Sequence, residues 1–415
     1  MDDLASKNGI TDPNQLAIGA RLVIPGLEGL QGILVTRSIP FGESLISLSR
    51  RYQIPYPLMA RLNNYTNPEE AYAGSTLILP DPGEGVLEPA GGRADLRAGQ
   101  SLLEMAITQN SNPWALVFDN GLQGTWDTVP GDVLYIRGAD DSGPGAFPPA
   151  ITDIDISPLP AVQGQTVVLQ VSSSENLTLS GNFADHDLNF FLNSDGKYIA
   201  LQGIYALIEP GVYPFLVRGT MADGTSFLFS QKIYIEDGGY PYDPPLAVKP
   251  ETTDVENTLP EDQQWLSTVE PVTPEKLWDG IFQPPVPVYL ADCFPSKFGH
   301  RRSYNGSAYD FFHTGLDFCG GTGVDIYAPA PGVVVFTGPL TVRGNATLID
   351  HGWGVYTGYG HQSEILVAVG DRVETGQLIG KIGSTGRVTG PHLHWEVIIG
   401  GVQVDPLQWL EREFP

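Results

Sequence analysis

The sequence predicts a multidomain, β-rich chain: small repeated α+β units at the front, an all-β sandwich in the middle and, behind an acidic linker, a C-terminal third in which histidines fall on strand-like alternation. Three observations predict this. The 415 residues exceed what one hydrophobic core normally holds. Glycine (49) and proline (35) are abundant, which favours turns over long helices. A self-similar pattern recurs at nearly constant spacing through the first third, as in repeated units.

The repeats come first along the chain. Asn8-Gly9 is echoed by Asn63-Asn64 and Asn120-Gly121. Gly19–Pro25 is echoed by Gly74–Pro80 and again by Gly131–Ile136. Landmarks 8 and 63, and 19 and 74, share an offset of 55; 63 and 120, and 74 and 131, share 57. The second and third copies also share a front half, Gly42-Glu43-Ser44-Leu45 against Gly99-Gln100-Ser101-Leu102. A polar residue followed by Ser and Leu reads as a helix start, and Leu45, Leu48 and Tyr52 continue it at helical spacing. Each copy ends in a short apolar run that reads as a strand.

On these residues, 34–80 (Ser38–Pro80 at its centre) resembles a LysM module, a small βααβ unit. Residues 94–138 resemble a divergent copy, and 1–26 only the back half of one. The resemblance implies binding of N-acetylglucosamine-containing glycan. It also implies that the front half of the first copy, and any export signal, lie upstream of Met1, so that the protein works outside the cytoplasm as a secreted, periplasmic or wall-associated one.

Residues 139–150 read as a linker. From 151 to 237, short alternating runs such as Val167–Val171, Val212–Val217 and Phe227–Phe229 are separated by turns at Ser194-Asp195-Gly196 and Ala222-Asp223-Gly224. This spacing predicts a sandwich of immunoglobulin type acting as a spacer. Its His186 stands alone and is assigned a structural role. Residues 238–285 are Pro-rich and acidic and are expected to be partly extended, with one short helix near Glu261–Leu266. A segment of this length beside a site is also in a position to occlude it.

The balance of 22 Lys and Arg against 48 Asp and Glu gives a net charge of -26, which repels nucleic acid and anionic lipid. No run of 18 or more apolar residues occurs, so no transmembrane helix is expected. The two cysteines, Cys293 and Cys319, pair in the sharper reading and are unpaired buried thiols in the blander one.

Four of the seven histidines fall in three short motifs: His313-Thr314-Gly315-Leu316-Asp317, Tyr359-Gly360-His361 and His392-Leu393-His394. Side chains two or four apart on a strand share a face. In His392–Ile398 this puts Leu393, Trp395 and Val397 on an apolar face and His392, His394 and Glu396 on a polar one, the two imidazoles about 7 Å apart. His313 and Asp317 share a face if extended. Two such faces meeting would close a site for one zinc ion, which takes His nitrogens and carboxylate oxygens and keeps an open position when catalytic.

These motifs match the lysostaphin/LytM-type metallopeptidases, from about Phe298-Gly299 to Trp409, in a domain set at 286–411. Further matching stretches are Tyr327–Val334, Ile349–Gly352, Val369–Val373, Gly376–Gly380, Gly383–Gly386, Gly390–His394 and Val404–Pro406. The resemblance implies a compact antiparallel β domain with a substrate groove. It implies Zn2+ held by His313, Asp317 and His394, and non-ligand catalytic roles for His361 and His392. It further implies hydrolysis of peptide cross-links in bacterial peptidoglycan, with stem or bridge peptides in the groove. His351 is expected to be structural and His300 a surface residue. Glu396 either orients a ligand or is solvated. Two other readings compete: a catalytically silent wall-binding scaffold or regulator, and a glycan-cleaving hydrolase. The latter needs a pair of carboxylates flanking a sugar cleft, and no such pair stands out.

Overall fold

The computed structural model describes residues 2–28, 30, 32–67, 70–81, 91–140 and 143–415. Positions 1 and 68–69 of the expected repeats and 141–142 of the linker lie outside these. The chain forms two compact units. One comprises residues 1–154, 173–178 and 218–232; the other comprises 155–172, 179–217 and 233–415. No helix among the described residues is long and apolar enough to cross a membrane.

In the first unit the second and third repeats are each a βααβ unit. Ile33–Ser38 pairs antiparallel with Thr76–Asp81 around helices Leu45–Tyr52 and Tyr56–Leu62. Gly91–Asp95 pairs with Val133–Arg137 around helices Leu102–Thr108 and Pro113–Asp119. The shared Ser marks both helix starts: Ser44 and Ser101 are N-caps, each closing a capping box with the residue three on. Leu45, Leu48, Met59, Leu77 and Leu79 form one small core, and Leu102, Met105, Leu116, Leu134 and Ile136 the other.

The recurrent Asn has a physical explanation. Asn63 donates to Ile78 O (3.0 Å) and accepts from Ile78 N (2.5 Å). Asn120 does the same with Tyr135 at 2.9 and 2.7 Å, and Asn8 with Val23 at 2.7 and 2.6 Å. One side-chain amide thus ties the end of a helix to the closing segment, always 15 residues on. The first copy departs from expectation in one respect: after helix Asp2–Lys7, residues 20–25 are not in a ladder. A strand needs a hydrogen-bonding partner. In the other copies the partner is the unit's own first strand, which residues 1–25 do not contain among those described.

In the second unit, Thr166–Ser173 pairs antiparallel with Tyr198–Gly203, which pairs in turn with Phe191–Leu192. Thr178–Phe183 pairs with His186–Leu188, so His186 sits in a strand. These strands are joined to the C-terminal domain. Ile199 and Leu201 belong to that domain's core. Gln408 bonds Thr166 N (2.9 Å) and Gly164 O (3.0 Å).

The C-terminal domain is mainly antiparallel β. Its principal strands are β1 (Leu316–Cys319), β2 (Gly332–Pro339), β3 (Asn345–Asp350), β4 (Val355–Ile365), β5 (Leu378–Ile382), β6 (His392–Ile399) and β7 (Val402–Val404). The order is β1-β6-β4-β3-β2, with β5 beside β4 and β7 beside β6. Leu393, Trp395 and Val397 are fully buried in one core with Leu316, Phe318 and Tyr359, as the alternation predicts. A disulfide joins Cys293 to Cys319 with Cα atoms 5.5 Å apart.

The linker differs from expectation. Its helix runs over 15 residues, Val255–Val269, capped by Asp254 and containing Pro260. Its buried residues are Glu261, Trp265 and Val269, four apart. A glutamate on the buried face breaks the apolar period, which is why the pattern shows only the helix middle.

Candidate metal centre

The sheet order brings the motifs together. Antiparallel pairing of β1 with β6 sets Asp317 beside His394 and Cys319 beside His392. Pairing of β6 with β4 sets Gly360 beside His394. His361 follows at a bulge, where Gly360 and His361 oppose Ala346 between the pairs Tyr359–Thr347 and Gln362–Asn345. Its φ of 61° is the left-handed region, uncommon for a residue with a side chain.

His313 is not on the strand that carries Asp317. It lies just before β1, and the chain turns at Thr314-Gly315 to bring the two together. A Cβ at Gly315 would lie 2.3 Å from Trp395 O and 2.9 Å from His394 Cε1, so only glycine allows this approach.

His313 Nε2 is 3.0 Å from Asp317 Oδ1 and 3.0 Å from His394 Nδ1, and the last two atoms are 2.9 Å apart. The outer partners fix the tautomers. His313 Nδ1 donates to Lys297 O (2.8 Å), leaving Nε2 as a lone pair. His394 Nε2 donates to Glu396 Oε1 (3.1 Å), leaving Nδ1 as a lone pair. The third corner is a carboxylate oxygen. Three buried acceptors therefore converge, an arrangement that a shared cation satisfies. The spacing is slightly tighter than the ~3.3 Å between ligands of a tetrahedral ion with ~2.0 Å bonds, so the donor set fits zinc after a small relaxation.

Burial opposes ionisation of Asp317, but the His313 and His394 imidazoles hold its carboxyl well below the usual range. Burial likewise opposes charge on His394, yet hydrogen bonds to Asp317 and Glu396 raise it to about 9 when no cation is present; a dication in the triangle competes with that second proton.

His361 and His392 stand beside the triangle with ring centroids 4.8 Å apart. His361 Nδ1 donates to Thr385 O (2.8 Å) and His392 Nδ1 to Gly390 O (2.9 Å). Each is left with Nε2 uncommitted to the backbone, that of His392 3.6 Å from Asp317 Oδ2. Burial, then the adjacent His394 and His392, press His361 well below the usual imidazole range. All five histidine-motif residues line one groove of about 660 Å³.

Three neighbouring residues refine the sequence reading. Glu396 is not solvated: it is 1 % exposed and bonded to His394, Thr314 Oγ1 (3.1 Å), Arg343 Nε (3.0 Å) and Trp265 Nε1 (3.1 Å). His300 is not a free surface residue: it is half-buried in the groove wall with Nδ1 2.8 Å from Asp243 Oδ1, because the linker folds back beside it. His351 is fully buried between Pro331 O (2.7 Å) and Thr357 Oγ1 (2.7 Å). The roles of Arg343, Trp265 and Glu261 escaped the sequence reading; nothing in their spacing signals them, since Arg343 and Trp265 meet Glu396 from 53 and 131 residues away and Glu261 meets Arg343 from 82.

The profile of Peptidase family M23 matches residues 311–406, and that of the LysM domain matches 1–25 and 41–80. Peptidoglycan DD-endopeptidase ShyA of Vibrio cholerae is 42% identical over 113 residues, 27% of this chain and 26% of its own length. DD-carboxypeptidase/endopeptidase Mpg of Neisseria meningitidis is 46% identical over 95 residues, 23% of this chain and 22% of its own. The matched span is thus about a quarter of the length of these relatives. A crystal structure of a putative peptidase M23 from Pseudomonas aeruginosa is 25% identical, covering 61% of this chain and 96% of that one, with a TM-score of 0.47. His313, Asp317, His361, His392 and His394 all fall within the residues that match peptidase family M23, and the front of the same chain matches the LysM domain.

Proposed function

We propose that the chain is a zinc-dependent endopeptidase that hydrolyses peptide cross-links of bacterial peptidoglycan, acting outside the cytoplasm. The observation that carries this is the triangle of His313 Nε2, Asp317 Oδ1 and His394 Nδ1, whose outer hydrogen bonds aim three ligand atoms at one point; the second proton that His394 holds without a cation is the one a bound dication would displace. A zinc ion held there supplies Lewis acidity and lowers the pKa of a water to about 7. The protein's own side chains do the rest. His361 and His392 each turn Nε2 away from a backbone carbonyl partner, the one to take a proton and the other to hold the developing oxyanion or return the proton to the departing amine. Glu396 keeps His394 in the tautomer that leaves Nδ1 free.

The front modules would hold N-acetylglucosamine-containing glycan and raise the local concentration of substrate. The relatives' names supply the substrate class, and the filled set of five residues speaks against a silent scaffold. The test is digestion of purified peptidoglycan with and without chelator, with products identified by mass spectrometry. Expected is release of peptide-cleaved fragments that stops on chelation and returns with zinc. Release unaffected by chelation, or cleavage of glycan bonds alone, overturns the reading.

A further inference from the structure

The M23 match begins at residue 311, yet the metal triangle is braced by a helix more than forty residues upstream. The linker helix Val255–Val269 sends Glu261 and Trp265 into the domain, 3 % and 2 % exposed. Trp265 Nε1 donates to Glu396 Oε2 (3.1 Å), the carboxylate that holds His394. Its ring passes within 2.7 Å of where a Cβ would sit on Gly358 of β4, so the sheet is notched to receive it. Glu261 accepts from Val342 N (2.6 Å), Arg343 N (3.1 Å) and Arg343 Nη1 (3.1 Å).

Arg343 is the junction. Its guanidinium lies over the Trp265 ring, 4.5 Å from the centroid, and donates through Nε to Glu396. Its carbonyl accepts from His361 N (2.7 Å). Two paths therefore leave the helix. One runs Trp265–Glu396–His394 to a ligand of the triangle. The other runs Glu261–Arg343–His361 to a histidine outside it.

We infer that the linker helix is a positioning element of the metal centre, with Trp265 and Glu261 as positioning residues that set the orientation of His394 and of His361. This rests on the metal-peptidase reading above. A buried carboxylate such as Glu396, with four partners, keeps its orientation only while all are supplied. Losing Trp265 leaves Glu396 Oε2 with only the long contact from Arg343 Nη2 (3.5 Å). Losing the Glu261 charge leaves Arg343 to Glu396 and the more distant, exposed Asp262 (3.6 Å) and loosens the loop that carries the His361 contact. Outer partners of metal ligands typically govern affinity by about 10–100-fold.

The test uses the full chain with Trp265→Phe, which keeps the ring and removes the donor, with Glu261→Gln, and with Leu266→Ala on the exposed side of the helix as control. Zinc affinity is measured by chelator competition, ligand geometry from the visible spectrum of the Co2+-loaded protein, and folding by thermal unfolding. Expected is about a tenfold weaker hold on zinc for Trp265→Phe and more for Glu261→Gln, each with an altered Co2+ spectrum well below its unfolding transition, and no change for Leu266→Ala. At saturating zinc, Glu261→Gln should still lower kcat with KM little changed, because His361 is displaced. Wild-type affinity and spectrum in both variants would overturn the inference while leaving the peptidase reading intact. Metal loss seen only as the variants unfold would also overturn it. Failure of the wild-type chain to take up metal would overturn the peptidase reading first.

Discussion

The repeats and the metal centre are both held by side-chain polar contacts, but on different scales. In each repeat the key amide reaches 15 residues along the chain. In the metal centre His313 meets His394 across 81 residues and Trp265 meets Glu396 across 131. The first kind of contact is made within one small unit, whatever the rest of the chain does. The second exists only after the whole sheet has formed. Loss of a repeat contact should therefore be a local stability defect, whereas loss of a contact at the centre should be a functional defect in a folded protein.

The largest test of that contrast is His394→Ala. Removing one of three ligands should abolish metal retention and lower turnover by about a thousandfold or more, with the circular dichroism spectrum unchanged. Metal analysis after dialysis checks it, and a variant that keeps its ion would break the comparison. His361→Ala should keep the ion and lose about 10²–10⁴-fold in kcat, which separates holding the ion from moving the proton.

His351 extends the comparison to a buried histidine with a purely structural place. Burial pushes it down from 6.5 to about 4, against the hydrogen bond to Pro331 O. The folded state thus keeps it neutral while the unfolded chain takes up a proton below about 6.5. The His351 contribution to stability should be flat above pH 7 and fall as pH drops from 6.5 towards 4, by up to roughly 3 kcal/mol. Urea titrations across that range, with His351→Gln as the flatter reference, would detect it; parallel slopes would remove His351 from the account.

The smallest effect is expected from Asn120→Ala, which deletes the bonds to Leu116 and Tyr135. It should cost about 2 kcal/mol, read as faster hydrogen exchange at Val133–Arg137, with kcat on a soluble cross-linked peptide unchanged. A loss of kcat would mean that the repeats and the centre are not energetically separate.

The sequence was most legible where the contacts are local. The repeated Asn, the Ser that opens each helix, and the alternation of His392–Ile398 each record a constraint within one element or one small unit, so offsets and periods reveal them. The motifs named five residues that the sheet brings to one groove, although the condition under which His313 and Asp317 share a face, an extended run, is not met, because the chain turns at Gly315. What stayed hidden has a common cause. Arg343 carries no motif. Glu261 sits on the buried face of a helix, where a charge reads as solvent-facing. Glu396 was placed on the right face but left undecided between bracing a ligand and facing water.

By itself, the sequence determined the succession of small repeats, a β-rich middle and a histidine-bearing β domain, because propensity, capping and alternation act over a few residues. Only the tertiary structure decided that the acidic linker carries a buried helix, that Glu396 is sealed beneath His394, and that Arg343 joins the two. A charge is buried only when partners compensate it, and here those partners come from distant parts of the chain.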